Sequence, residues 1–169
     1  MKHHAEKLHD YHVWANTKIF AHLKTLPEEV YTQELQSVFP SIAETLRHIY
    51  LTDIAWLTGL TGQPFEQAMA EVKRAQEESS GRSLAEMERL FAEIAERYRA
   101  LFRQQNLDEI AVMPHPVYGE LRASYTDVLQ HVVNHGTYHR GNITAMLRQQ
   151  NHPGVSQDYV FFLYEHQNT

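Results

Sequence analysis

The sequence predicts an all-α protein, a four-helix bundle with a short β-hairpin or loop crossover before its last long helix. Four segments repeat apolar residues at steps of three and four, the period of a helix that faces a core. Two longer connections separate these segments, as in bundles with crossover connections. The length of 169 residues suits one domain, residues 1–169, with a single core.

The ends of the first two helices are marked by proline, serine and glycine. The first helix is expected at about Ala5–Leu26, because Pro27 follows it directly. The second begins after Ser41, a predicted N-cap with Glu44 three residues further on, which is the spacing of a capping box. Gly62 lies near the end of this helix and favours its termination.

A charged connection precedes the third helix. Residues Thr61–Arg82 are predicted to form this connection, which can hold a short helix at Phe65–Val72. The run EVKRAQEESSGR is interpreted as a solvated loop. Ser83 and Glu86 form another capping-box pattern and start the third helix.

The helical pattern stops again before the last long helix. Asp108–Ala123 contains two prolines and a Tyr118–Gly119 turn, which predict a small β-hairpin or loop. Ser124 or Thr126 then caps the fourth helix, which includes Leu129–Arg148. The aromatic tail VSQDYVFFLYE is expected to fold back as a short segment that seals the bundle.

Histidines on the fourth helix are the first candidates for chemistry. His135 and His139 lie in its apolar stripe, four residues apart, so both rings can reach one ion. His131 extends the series, but eight residues of helix rise about 12 Å, so only one adjacent pair can share a metal. The periodicity favours His135 with His139. His48, beside the seam of the second helix, is the predicted third ligand.

Other polar residues of the core faces have open roles. His9 and His12 could hold an ion, but a hydrogen-bonded or solvated role is favoured for both. Asp53 lies in the stripe of the second helix and needs a buried partner, either as a general base or as a group that orients a histidine. Arg140 binds an anionic substrate or, in the favoured interpretation, pairs with a carboxylate. Tyr138 is left without a role.

The composition excludes several classes of protein. There is no cysteine, so disulfides and cysteine–zinc sites are excluded, and any thiol must come from a partner or cosubstrate. The net charge of −6 and a pI near 6.0 argue against nucleic-acid binding. No apolar run approaches the roughly 20 residues of a membrane span, and the start shows no signal-peptide pattern. No membrane association is therefore predicted, and the expected location is the cytoplasm.

Several stretches of the chain resemble the DinB/YfiT-like family of proposed metalloenzymes. HVVNHGTYHRGNI is similar to its fourth-helix signature, LRHIYLTDIAWL to its second-helix segment, and YHVWAN and DYVFFL to further family features. The resemblance implies His48, His135 and His139 as metal ligands and a bundle that is often a homodimer. One departure is Asn142, where the family commonly has glutamine.

A site of three neutral imidazoles with an open metal position is typical of catalysis. Zinc or nickel suits such ligands best, with copper and iron as further options. The resemblance implies an S-transferase-like enzyme that uses a low-molecular-weight thiol cosubstrate and a small-molecule substrate. A metal-water hydrolase with Asp53 as general base is one alternative. A non-catalytic metal-binding stress-response protein, with a saturated metal, is the other.

Overall fold

The computed structural model describes residues 2–167, which are mostly helical with one small antiparallel sheet. The elements in chain order are α1 His4–Leu23, α2 Glu29–Thr32, α3 Ile42–Leu60, α4 Phe65–Glu78, α5 Leu84–Gln104, β1 Ile110–His115, β2 Gly119–Ser124, α6 Tyr125–Gln149 and α7 Tyr159–Glu165. Helix α1 packs on α5 and α6, and α3 packs on the same two helices, so the four long helices close a cycle around one core.

Side-chain caps fix where the long helices begin. The predicted capping box of α5 is confirmed, with Ser83 and Glu86 bonded to each other's backbone N–H groups. Ser124 forms the same box with Asp127 at the start of α6, so Ser124 and not Thr126 is the cap. Ser41 accepts from the Glu44 N–H at 3.2 Å, as predicted, whereas the Glu44 carboxylate accepts a bond from Arg47. The box at α3 is therefore only half formed.

The charged connection after α3 is largely helical, so the prediction of a loop there is wrong, whereas most of its side chains are solvated as expected. Helix α4 includes the expected short segment and continues to Glu78. Its narrow apolar stripe packs on α3, where Val72 and Ala75 meet the core. Its last turn is held by Arg47, which donates to the Gln76 carbonyl oxygen at 2.9 Å. These contacts are made with α3, which is distant in the sequence. The local sequence of α4, which is rich in charged residues, therefore does not indicate a helix.

The predicted hairpin is confirmed. Strands β1 and β2 pair from Ile110↔Ser124 to His115↔Gly119, and Gly119 has the positive φ of 78° that the turn requires. Met113 points to the core side of the sheet and approaches Gly59 of α3. The hairpin thus covers the end of α3 and delivers the chain to α6.

The aromatic tail folds back as expected, in the form of the short helix α7. Phe162 packs on Tyr11 and Trp14 of α1, and the Trp14 Nε1–H donates to Glu165 at 2.8 Å. No helix within residues 2–167 is long and apolar enough to cross a membrane.

Helices α1 and α6 approach each other most closely at Gly136. A Cβ on this residue would overlap the His12 ring and would lie 2.6 Å from its Nδ1 and 2.8 Å from Nη1 of Arg140. Gly141, one and a half turns further along α6, would have no neighbour within 4 Å of a Cβ. Only the first glycine is therefore required by packing.

We expect Gly136→Ala to lower the free energy of unfolding by about 1–3 kcal/mol, because α1 and α6 must separate to admit the methyl group. The matched change Gly141→Ala should raise it by roughly 0.5–1 kcal/mol, the usual gain of alanine over glycine in a helix. Urea unfolding of both variants measures the difference. Equal effects of the two substitutions would contradict the close approach.

Candidate metal centre

Three histidines from two helices meet at the contact between α3 and α6. His48 comes from α3, and His135 and His139 come from successive turns of α6. Each offers one ring nitrogen, and these three atoms all lie within 4.8 Å of one another. The Nε2 atoms of His48 and His135 are 3.0 Å apart. The structure therefore brings together the three residues that the sequence singles out.

One separation within this cluster matches that of two ligands of a bound transition metal. Zinc holds imidazole nitrogens at about 2.0–2.1 Å, which places two ligand nitrogens of one ion roughly 3–3.4 Å apart. The separation of His48 and His135 agrees with that range. The ligands are all nitrogen donors, which suit zinc, nickel, copper and iron better than magnesium or calcium.

The electrostatics keep these rings neutral and able to donate a lone pair. Burial, followed by the neighbouring His139 and His48, lowers the pKa of His135 to about 3. Burial also lowers the pKa of His48, and burial followed by His48 lowers that of His139. Neutral imidazole is the form that binds metals, so the cluster is ready for a cation at neutral pH.

Aromatic and amide groups surround the three rings. Phe39 lies against His48 and His139, at ring distances of 4.5 and 5.5 Å. The amide nitrogen Nδ2 of Asn142 lies 3.3 Å from Nδ1 of His139. With the amide oxygen turned to Nδ1 instead, the side chain would accept the Nδ1–H and leave Nε2 free for a metal. Asn142, although one methylene shorter than the glutamine common in the family, thus still contacts His139. Tyr138 lies edge-on to His139 and is 64% exposed.

His131 lies outside the cluster. Its ring is exposed and packs on Trp56 at 4.7 Å, and its centroid is 6.2 Å from that of His135. His131 is not among the three grouped residues, in agreement with the expectation that at most one adjacent pair of the series can share an ion.

A second polar cluster lies in the core between α1, α3 and α6. Asp53 is 2% exposed, and its Oδ2 is 3.0 Å from Nε2 of His12. Nη1 of Arg140 is 3.3 Å from Nδ1 of the same ring. Because arginine can only donate, Nδ1 of His12 must accept, and its Nε2–H must donate to the carboxylate. A neutral imidazole thus bridges a buried carboxylate and a buried guanidinium.

This cluster corrects the roles considered for Arg140 and Asp53. The guanidinium is fully buried and also donates to Asn16 Oδ1 at 2.9 Å and to Thr137 Oγ1 at 3.0 Å. Because it is buried, its side chain offers no surface to an anionic substrate, and it has no direct ion pair within residues 2–167. The carboxylate of Asp53 is connected to the guanidinium through the His12 ring, which lies between them. Asp53 does orient a histidine, but that histidine is His12, which is not one of the three candidate ligands.

The two histidines of α1 have different environments. His12 is hydrogen-bonded, as favoured by the sequence. His9 is buried against Tyr98 and Phe102, at ring distances of 4.8 and 5.1 Å, so it is not solvated. Its Nδ1 has no hydrogen-bond partner among the described residues. Burial, followed by the nearby His12, lowers the pKa of His9 well below 6.5.

Sequence reasoning missed the bridging role of His12. Two signals in the printed sequence point to it. Gly136 interrupts the middle of a long helix, where glycine costs stability unless another group approaches closely. Arg140 and Gly136 are four residues apart on one helix face, and that face is otherwise apolar.

The fold and the site together define the class of protein. It is a helical protein with a candidate three-histidine metal centre between two of its long helices. The family model described as "DinB family" matches residues 1–169. The chain is also 45% identical to Protein DinB of Bacillus subtilis (strain 168) over 162 residues, which cover 95% of this chain and 94% of that protein. The chain therefore belongs to the DinB family, as its motifs indicate.

We expect the buried His9 to make the protein less stable as the pH falls. Above about pH 6.5 the ring is neutral in both states and has no effect; below it, the unfolded chain takes up a proton that the folded chain refuses. One such group contributes a slope of up to roughly 1.4 kcal/mol per pH unit to the free energy of unfolding. His9→Gln should remove that contribution.

Urea unfolding from pH 5 to pH 8 measures this effect. The curves of the parent and His9→Gln should run parallel above pH 7 and converge towards the acid end. Parallel curves over the whole range would show that His9 takes up its proton equally well in the folded protein.

Proposed function

We propose that this DinB-family protein is a metal-dependent enzyme that uses a low-molecular-weight thiol to modify a small-molecule substrate. The observation that carries the proposal is the meeting of His48, His135 and His139, with their donor nitrogens within 4.8 Å. Three protein ligands leave a coordination position for a reactant, whereas a closed structural zinc site has four.

The four long helices support this role as a rigid frame. We propose that α1, α3, α5 and α6 form a four-helix bundle, an architecture that builds metal sites from residues on facing helices. We further propose a homodimer, which the family resemblance implies, and a cytoplasmic location. The net charge of −6 supplies no basic surface for nucleic acid.

The donor set explains what the chain itself would contribute. His48, His135 and His139 would hold a divalent ion, zinc or nickel, and such an ion lowers the pKa of a thiol or water in its open position. The chain has no cysteine, so it supplies no thiol of its own to compete for that position. In the proposed reaction the cosubstrate would therefore bring the sulfur nucleophile. A new C–S bond would form at an electrophilic carbon of the substrate as the bond from that carbon to its leaving group breaks, and the thiol's proton would leave with that group.

The two alternative functions have weaker support. A hydrolase needs a base beside the ion, and the nominated Asp53 directs one carboxylate oxygen to His12 in the core. A non-catalytic metal-binding protein would favour a saturated ion, whereas the cluster within residues 2–167 combines three candidate ligands. The thiol-dependent enzyme remains the hypothesis that best fits three donors and an open position.

We expect His48→Ala, His135→Ala and His139→Ala each to lose the metal. Removing a direct ligand should weaken binding by more than the roughly 10–100-fold that loss of a supporting hydrogen bond costs. The measurement is elemental analysis of protein purified without a polyhistidine tag, followed by metal titration. His131→Ala is the matched control on the same helix and should keep the ion. Retention of metal by any of the three variants would remove that residue from the site.

A thiol should occupy the open position of the metal-loaded protein. In the cobalt-substituted protein, cysteine or glutathione should produce a thiolate-to-cobalt absorption band, because the metal favours the ionised sulfur. S-methylcysteine, which has no ionisable thiol, is the control and should produce none. If no thiol changes either the spectrum or the turnover of an electrophilic substrate, the S-transfer hypothesis is wrong and the hydrolase becomes the better candidate.

A further inference from the structure

A cavity of about 580 Å³ lies between α3, α4 and the hairpin, outside the three-histidine cluster. Its volume is within the roughly 300–1,000 Å³ of small-molecule pockets. Apolar side chains from all three elements line it, including Trp56, Phe65, Met69, Val72, Met113 and Leu121. The cavity exists because α4 and the hairpin both pack on α3 without filling the space between them.

The cavity keeps apolar surface in contact with water. Met69 is 45% exposed, Leu121 is 44% exposed, and Tyr118 at the hairpin turn is 87% exposed. Apolar groups grouped in this way around a concavity are typical of a surface that a ligand covers. The two methionines, Met69 and Met113, have flexible, polarizable side chains that adapt to the shape of a ligand.

The lining favours an uncharged ligand. Glu120 is the one charged residue of the described lining, and neither lysine nor arginine belongs to it. Arg122 lies outside the lining and donates to Glu120 at 3.2 Å, so this carboxylate is already paired and offers little to a cationic ligand. A ligand with a phosphate or carboxylate group would lose its hydration on entering the cavity and would find no cation there to pair with. This desolvation costs free energy of binding.

The aromatic rings of the lining favour a flat ligand. Trp56, Phe65, His115 and Tyr118 belong to the lining, and His115 stacks on Tyr118 at 4.8 Å and meets Phe65 edge-on at 5.7 Å. Rings disposed in this way offer faces and edges to another aromatic group. An uncharged aromatic group thus satisfies the shape and charge of the cavity together.

Trp56 connects the cavity to the candidate metal centre. Its ring lines the cavity and packs on His131 at 4.7 Å, and His131 is one helical turn from His135. On α3, Trp56 lies eight residues beyond His48, about 12 Å further along the helix, and the two side chains contact His131 and His135 of α6. The cavity and the metal centre therefore share helix α3, and Trp56 contacts α6 from the cavity side.

We propose that this cavity binds the uncharged aromatic group of the substrate. The proposal rests on the proposed function only in calling the ligand a substrate. The cavity itself is defined by residues that include none of the three histidines. Binding to it can therefore be measured with the metal ligands intact or removed.

Tryptophan fluorescence provides the test, since Trp14 and Trp56 are the two tryptophans of the chain. In the Trp14→Phe protein the signal reports Trp56 alone. The probes are para-nitrobenzyl alcohol, which is neutral, and para-nitrobenzoate, an anion of similar size; both quench tryptophan. We expect saturable quenching by the alcohol and at least about tenfold weaker binding of the carboxylate.

Cavity filling is tested on α4. Ala68 lines the cavity, whereas Ala70 is exposed and lies outside the lining. Ala68→Leu should weaken binding of the alcohol at least about tenfold because it occupies the ligand's space, and Ala70→Leu should leave binding unchanged. Thermal melting establishes that both variants are folded.

A charge change keeps the proposal testable if Ala68→Leu does not fold. Glu120→Lys on the exposed hairpin should strengthen binding of para-nitrobenzoate several-fold and leave that of the alcohol almost unchanged. Quenching that does not saturate, or equal binding to the Ala68→Leu and Ala70→Leu proteins, would overturn the proposal. So would binding that weakens as the protein concentration rises, because a second copy would then cover the cavity.

The same titration separates this proposal from the proposed function. His135→Ala should lose the metal and still bind the alcohol with the parent affinity. Metal binding without saturable quenching by the alcohol in the parent would refute the cavity alone. Saturable quenching in a protein that never retains a metal would refute the metal-dependent function alone.

Discussion

The buried bridge from Asp53 through His12 to Arg140 is the constraint on which the arrangement of the helices depends. It joins α3, α1 and α6 through groups that are at most 2% exposed, so a group that loses its partner has little water to replace the hydrogen bond. Removing one member would leave the opposite charge buried and unpaired. Gly136 lets α1 approach closely enough for His12 to complete this bridge.

Helix α6 carries two different sites on two faces. Gly136 and Arg140 face α1, while His135 and His139, each one residue earlier, face α3. Adjacent residues of a helix are rotated by about 100°, so the motif HGTYHR contains two pairs at four-residue spacing that point to different neighbours. The bridge to α1 thereby fixes the rotation of α6, and that rotation directs both candidate ligands towards His48.

Local patterns predicted helix ends and shared faces, and they failed where the partner was distant in the chain. Ser83 with Glu86 and the spacing of His135 and His139 are local, and the structure agrees with both. Arg47 of α3 caps the last turn of α4, and the hydrogen-bond partner of His12 is Asp53, also from α3. Neither partner is visible in the surrounding sequence. The charge of the α4 segment therefore predicts a loop, and His12 is predicted only to be hydrogen-bonded or solvated, without a defined partner.

The hydrogen-bond partners distinguish the core histidine from the candidate ligands. Both nitrogens of His12 are occupied, one by a carboxylate and one by a guanidinium, so a metal could bind only by breaking the bridge. In the other cluster, His48 and His135 meet nitrogen to nitrogen, and His139 joins the same small volume. Two neutral rings can share only one proton, whereas a single cation can accept a lone pair from all three. A metal ion therefore satisfies this cluster in a way that its own hydrogen bonds do not.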